Sequence, residues 1–253
     1  MHVAVAGGTG VVGRLVVNEL RATGHHATVL ARSHGTDLTS GAGLAEALRG
    51  IDAVIDTTNS PSTKKAAAIE FFQQATANLL AAEVSAGVSH HLLLSIVGID
   101  RVGYGYYQAK LRQEQLVETG PVPWTILRAT QFHEFAGQLL GRLPGPVAVL
   151  PQMRTQPIAA AEVARHLVGL IEAEPAGRVP ELAGPDVLEL TMMVRQLLRA
   201  RGSRRPVLGL PSLGRLAGFG NGALLPSSPG PRGVQRYADW LQSRGTTATV
   251  AAT

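Results

Sequence analysis

Seven residues close to the amino terminus constrain this chain more than any other stretch. Gly7-Gly8-Thr9-Gly10-Val11-Val12-Gly13 follows a short apolar run at residues 3–6 and opens residues 11–22, where Val12, Leu15, Val16 and Leu20 recur near helical spacing. Glycine is needed where a chain turns sharply at positive φ and where backbone must lie close to a bound phosphate. A helix that begins on such a turn points its unpaired N–H groups and its dipole at that phosphate. The strand before the turn and the helix after it are the context in which three glycines at this spacing imply a dinucleotide. The Lys-Ser/Thr ending of a nucleoside-triphosphate loop is absent, which argues against ATP or GTP.

The rest of the first half repeats the same alternation. Buried strands are expected at residues 27–31, 52–56, 91–96 and 123–127, with helices at 43–48, 64–86 and 107–118. A minimal strand is expected near residues 36–38. Continuous apolar strands alternating with helices predict an α/β fold: a doubly wound parallel sheet of the Rossmann type, with ligands at the carboxyl ends of its strands. Beyond Thr130 the pattern loosens. Helices are expected at 132–140, 160–172 and 192–201, strands at 147–150 and 179–183, then a Gly/Pro-rich stretch at 209–233 and an amphipathic segment at 234–243. No independent core is visible there. Residues 1–245 are therefore expected to form one domain, with a cofactor-binding core at 1–130, a substrate lobe at 131–245 and a flexible tail at 246–253.

Composition removes several alternatives. The 253 residues contain no cysteine, so disulfides, thiolate catalysis and Cys-ligated metals are excluded, and no histidine shows metal spacing with a third ligand. A metal site is not expected. The amino terminus lacks the pattern of a signal peptide and no segment resembles a membrane span, so a soluble cytoplasmic protein is expected. The net charge of +5 would suit nucleic acid, but the basic residues are scattered, and the cluster Arg199, Arg201, Arg204 and Arg205 has no interleaved aromatics. The expected partner is a small-molecule substrate rather than nucleic acid or membrane, with the chain a monomer or homodimer.

The end of the second strand decides between the two nicotinamide cofactors. An acid there binds the ribose hydroxyls of NAD. This chain has Arg32 and Ser33 instead, a planar cation and a hydroxyl suited to the extra phosphate of NADP(H). For chemistry, Ser95 closes the strand at 91–96, and Tyr106-Tyr107-Gln108-Ala109-Lys110 begins the next helix. Tyr106 and Lys110 share a helical face, and a lysine beside a phenol lowers its pKa and eases proton transfer to a carbonyl oxygen. On spacing alone, packing tyrosines and a solvated lysine explain the same residues. His25-His26 and His90-His91 look like loop residues.

Taken with Ser95-Ile96-Val97-Gly98 and Trp124-Thr125-Ile126-Leu127-Arg128, the glycine turn and the tyrosine segment resemble the atypical short-chain dehydrogenase/reductases, most of all the NmrA-like, NAD(P)H-binding branch. The resemblance covers most of the chain, through Leu182-Ala183-Gly184-Pro185 and Tyr237-Ala238-Asp239-Trp240-Leu241. It implies that Gly7, Thr9, Gly10, Val11, Val12 and Gly13 hold pyrophosphate and that Arg32 meets the 2′-phosphate. It further implies that Thr57 and Thr58 line the adenosine side, that Ser95 and Lys110 approach the nicotinamide ribose, and that Thr130 and Phe132 sit between cofactor and substrate. His133 could point into the substrate pocket. Arg128 is followed by Ala129, where many relatives have proline, and the segment before Asp37 is short. The activity implied is NADPH-dependent reduction of a carbonyl, quinone or conjugated ketone. A redox sensor without turnover and an isomerase or cyclase on the same fold are the other uses this family allows.

Overall fold

A computed structural model describes the backbone of residues 1–250 and the side chains of residues 1–244. Its centre is a parallel sheet of six strands, in the order β2-β1-β3-β4-β5-β8. These are β1 (His2–Ala6), β2 (His26–Leu30), β3 (Ala53–Asp56), β4 (His90–Ile96), β5 (Trp124–Ala129) and β8 (Gly177–Arg178). The inner strands β3 and β4 are buried almost throughout, with apolar middles at Ala53–Ile55 and Leu92–Leu94, as a sheet covered on both faces requires. Helix α1 (Val11–Ala22) presents Val12, Val16, Val17 and Leu20 to one face and shares that layer with α6 (Ala160–Ile171). The opposite face is covered by the single turn α2 (Leu44–Ala47), by α3 (Lys65–Ala86) and by α4 (Gly105–Glu118). In α3, Ala68, Phe72, Ala75, Leu79 and Leu80 form the buried stripe that lets an alanine-rich helix lie flat against the sheet.

The chain reverses direction in the sheet at β1. From β1 it steps outward to β2, then crosses back to β3 on β1's other side. The carboxyl ends of β2, β1 and β3 are consequently adjacent, which is the switch point where doubly wound sheets leave a crevice.

The minimal strand expected near residues 36–38 does not form. After β2 the chain makes a 3-10 turn over Arg32–His34, and Gly35, Gly41 and Gly43 all take positive φ. Thr36 Oγ1 donates to the Ala31 carbonyl, the Asp37 carboxylate accepts from the Thr39 amide and hydroxyl, and Asn78 of α3 holds the Leu38 and Thr39 carbonyls. Local side-chain bonds to backbone replace a ladder here. The strand expected at 179–183 is likewise reduced to Gly177–Arg178 and two isolated bridges, Leu182 to Ala129 and Ala183 to Arg232, because Pro180 cannot donate to the ladder.

Of the four histidines expected in loops, only His25 lies in one. His90 and His91 open β4, both buried, and His26 opens β2. His91 Nδ1 meets Glu83 of α3 at 2.8 Å with both side chains fully buried. Burial disfavours the imidazolium, but the charge and hydrogen bond of Glu83 outweigh it and raise the pKa of His91.

Beyond β5 the chain builds a lobe from α5 (Phe135–Gly141), β6 (Ala148–Pro151), β7 (Arg154–Thr155), β9 (Leu188–Glu189), α7 (Leu190–Ala200), β10 (Val207–Leu210), α8 (Ala217–Gly220) and α9 (Tyr237–Val250). Its buried residues, including Ala136, Leu140, Leu150, Met193, Val194, Leu197 and Phe219, form a substantial cluster. That cluster closes over Ile99, Val102 and Tyr107, so it remains continuous with the α4 side of the sheet. Helix α9 runs to Val250, past the segment expected at 234–243 and into the expected tail, whose residues 251–253 lie outside the described residues.

Candidate functional site

The glycine turn follows β1 directly. Gly7 has φ +72, and a Cβ there would press on the Thr57 carbonyl at 3.0 Å. At Gly13 a Cβ would fall 2.2 Å from the Gly7 carbonyl oxygen, so only glycine lets α1 seat this closely on its own turn. Gly10 differs. It is exposed, and its Cβ would meet the Gly7 carbonyl alone, at 3.1 Å, with the remaining space open. As the N-cap of α1, Gly10 supplies no side-chain hydrogen bond, and the first turn of the helix holds no acid. The first-turn amides are therefore left without a side-chain cap that would compete with an anion. Arg14 donates to the Thr9 carbonyl at 3.0 Å and braces the loop from the helix side.

Neighbouring strand ends complete the crevice. The Gly7 amide donates to the Leu30 carbonyl of β2, and the Thr57 amide and hydroxyl donate to the Ala6 carbonyl of β1 at 3.0 and 2.8 Å. Arg32 and Ser33 are exposed where β2 ends, with the Ser33 hydroxyl 3.1 Å from His34 Nδ1. The turn, Arg32-Ser33 and Thr57-Thr58 are thus gathered along one edge of the sheet. The residues present fit a dinucleotide: open amides for pyrophosphate, an exposed cation at one flank and hydroxyls at the other.

Helix α4 delivers Tyr106 and Lys110 to the end of β3. The Tyr106 hydroxyl donates to Asn59 Oδ1, and its ring packs edge-on against Phe72. Burial first, then Tyr104, raises the phenol's pKa, while Arg142 opposes the rise. The expected lowering by Lys110 therefore does not prevail, because desolvation dominates. Lys110 is no solvated helix residue. It is buried, its ammonium donating to Gln113 Oε1 at 2.7 Å and lying 5.1 Å from the centre of the Phe72 ring. Burial pushes its pKa down to about 8, against the pull of Asp56 and Glu114.

Three other expected residues sit apart from this group. Ser95 is buried beneath α4, its hydroxyl directed to the Glu114 carboxylate without closing a well-formed hydrogen bond. Thr130 donates to the Gln156 carbonyl at 2.6 Å. His133 is fully buried, with Nε2 3.0 Å from the Gln235 carbonyl and its ring against Tyr237 and Trp240, and burial lowers its pKa. The structure does not bring His133 to the crevice. Phe132 is half-buried and bridges to Ile158 at the β5 end.

Sequence reading missed Asp56, Asn59, Gln113 and Glu114. The Asp56 carboxylate accepts from the Thr58 amide at 2.8 Å and from Gln113 Nε2 at 2.9 Å. Glu114 takes both Arg128 and Arg178. A signal existed for two of them, since Gln113 and Glu114 follow Lys110 by three and four residues on one helical face. Asn59 and Asp56 carry no such mark.

A family model described as NAD(P)H-binding matches residues 7–174, and the chain belongs to that family. The dinucleotide expectation and the family resemblance drawn from the motifs are both borne out. The chain is 27% identical over 221 residues to a (4-alkanoyl-5-oxo-2,5-dihydrofuran-3-yl)methyl phosphate reductase of Streptomyces griseus subsp. griseus, covering 79% of this chain and 74% of that protein. In fold it resembles the NADPH-dependent quinone oxidoreductase QOR2 of Escherichia coli solved with NADPH, with a TM-score of 0.71 at 20% identity over 96% of this chain and 99% of that one. It also resembles MoeE5 in complex with UDP-glucuronic acid and NAD, with a TM-score of 0.74 at 17% identity over 98% and 100% of the two chains. Among the described residues no helix is long and apolar enough to cross a membrane, and no group of side chains could hold a metal ion.

Proposed function

We propose that this chain is an NADPH-dependent reductase of a small carbonyl, quinone or conjugated ketone, working in the cytoplasm as a monomer or homodimer. Residues 1–245 act as one unit, the first 130 holding cofactor and the rest shaping the substrate side. The observation that carries the reading is the convergence of Tyr106 and Lys110 with the residues that end β3, next to the glycine turn. The reductase relative and the NADPH-bound structural neighbour point the same way.

The bound cofactor would supply a hydride. Tyr106 gives its hydroxyl proton to the substrate oxygen, and a raised pKa keeps that proton in place until an acceptor arrives. Lys110 contributes a positive charge and a donor to the nicotinamide ribose. Ser95 would have to turn from Glu114 to orient the carbonyl, and Phe132 and His133 belong to the wall of the substrate side, His133 from behind. Consumption of NADPH across a panel of quinones and ketones, with binding heat measured in parallel, tests the reading. One observation favours a redox sensor instead: the Ser95 hydroxyl is turned toward Glu114 beneath α4. NADPH binding without turnover on any acceptor would decide for it.

Arg32 carries the choice of NADPH over NADH. Arg32→Glu should remove a charge-assisted phosphate contact of about 1.5–3 kcal/mol, lost mainly from NADPH affinity. Calorimetry giving equal affinities for the two cofactors in the wild type would refute that role. Gly10→Val should abolish cofactor binding while the far-ultraviolet spectrum stays native, because the added side chain projects into the open space above the turn. Retained affinity would place the dinucleotide elsewhere.

A further inference from the structure

Lys110 reaches the end of β3 through a chain of buried hydrogen bonds rather than by its own reach. Gln113 Nε2 donates to Asp56 Oδ2 at 2.9 Å and to Thr58 Oγ1 at 3.2 Å. Asp56 Oδ1 is meanwhile occupied by the Thr58 amide at 2.8 Å. An ionised carboxylate can only accept, so Asp56 dictates which end of the amide faces it. The Gln113 oxygen is thereby left facing Lys110, whose ammonium can only donate. Asp56, Gln113 and Lys110 are all nearly or fully buried, so a wrongly turned amide would place its NH2 against the ammonium with no water to relieve it.

We propose that Gln113 is the positioning residue for Lys110, its amide held in one orientation by Asp56 and Thr58 so that the ammonium is presented at the cofactor crevice. This rests on the assignment of Lys110 to the cofactor. An amide between the two charges does what a direct Asp56–Lys110 pair would not: it separates them by one group, which keeps the ammonium available to a ligand. The other groups facing Lys110 are Glu114 on α4, the Phe72 ring on α3 and His91 on β4. Of these, Glu114 is engaged by arginines and His91 by Glu83. Only Gln113 accepts a hydrogen bond from Lys110 among the described residues.

The chain contains three lysines, and Lys64 and Lys65 are exposed, so ¹³Cε-labelled lysine resolves Lys110 in the intact protein. In the wild type its signal should titrate near pH 8, apart from the two exposed lysines. Gln113→Leu keeps the bulk and removes the acceptor. The Lys110 midpoint should fall by at least about one pH unit, the size expected when a hydrogen bond to a charged group is lost. At pH 7.5 that shift alone cuts the charged fraction, and with it NADPH affinity, by about threefold. Gln113→Glu should instead carry the midpoint above its wild-type value without restoring affinity, because the new carboxylate cannot donate to Asp56 and pairs with the ammonium directly, whereas a purely space-filling role would leave both unchanged. If Gln113→Leu does not fold, the Glu variant decides by itself. An unmoved Lys110 midpoint overturns the proposal. A midpoint that moves while NADPH affinity and its pH profile stay fixed overturns the assignment of Lys110 to the cofactor and leaves the hydrogen-bond chain standing.

Discussion

Tyr106→Phe should lower turnover by about 10²–10⁴-fold on whichever acceptor the wild type reduces best, with NADPH affinity little changed. The substitution keeps the ring against Phe72, at 6.0 Å between centroids, and removes only the hydroxyl that donates to Asn59. Folding should be affected little, because one partly exposed hydrogen bond contributes about 1 kcal/mol. The pH profile separates Tyr106 from its neighbour. Burial raises the phenol's pKa, so Tyr106 keeps its proton through neutral pH and imposes no loss of activity there. The alkaline limb should belong to Lys110, with activity falling as pH rises through about 8 and the ammonium loses its charge. Steady-state rates from pH 6 to 10 on both proteins provide the check. A Phe variant with undiminished turnover would leave Tyr106 a packing residue.

Glu114→Ala should be the most destabilising single change near the site. The carboxylate is buried and takes Arg128 through Nε at 2.9 Å and Nη2 at 2.7 Å, and Arg178 at 2.8 Å. Removing one member of a buried pair costs about 3–5 kcal/mol, because the partner charge is left uncompensated. The lower end applies here, since Arg178 is 43% exposed and can turn to water, and Arg128 retains Asp100 at 3.3 Å. Urea unfolding at neutral pH measures the loss, and a change under about 1 kcal/mol would refute the account. The same group sets an acid limit. Burial works against the charge, but Arg128, Ser95 and Arg178 outweigh it and hold the carboxyl below its ordinary value of 4.5. A depressed folded pKa means the stabilisation is present above that ordinary value and is lost as pH falls through the folded one. Wild type should therefore weaken below about pH 4.5 by an amount the alanine variant does not share.

Motifs that act through backbone were legible in the sequence, and those that act through long-range side-chain pairing were not. The turn at Gly7, Gly10 and Gly13 announces itself because glycine has few other reasons to recur between a strand and a helix. The α3 helix was read to within a residue because nothing in it breaks helical spacing. The failures share a cause. Residues 36–38 have strand-compatible side chains, but Asp37 and Thr36 satisfy the local backbone first. The pairing that buries His91 is hidden from local pattern because its partner Glu83 lies on a different element. His133 has the position of a pocket residue, yet Tyr237 and Trp240, more than a hundred residues downstream, fold over it. Asp56 and Gln113 lie 57 residues apart and meet only once α4 is packed beside β3.

The tight seat of Gly13 on Gly7 separates two properties that a dinucleotide site could otherwise have tied together. The turn tolerates almost no change, since even one methyl group at Gly13 would collide with backbone at 2.2 Å. Arg32, Ser33 and His34, by contrast, stand exposed at the end of β2 with no backbone pressed against them. On the proposed assignment of Arg32, a lineage carrying this fold could rewrite which nicotinamide cofactor it prefers at that outer corner, one surface residue at a time. On the same assignment the turn proposed for the shared pyrophosphate would be inherited unchanged, and the interior would not have to repack.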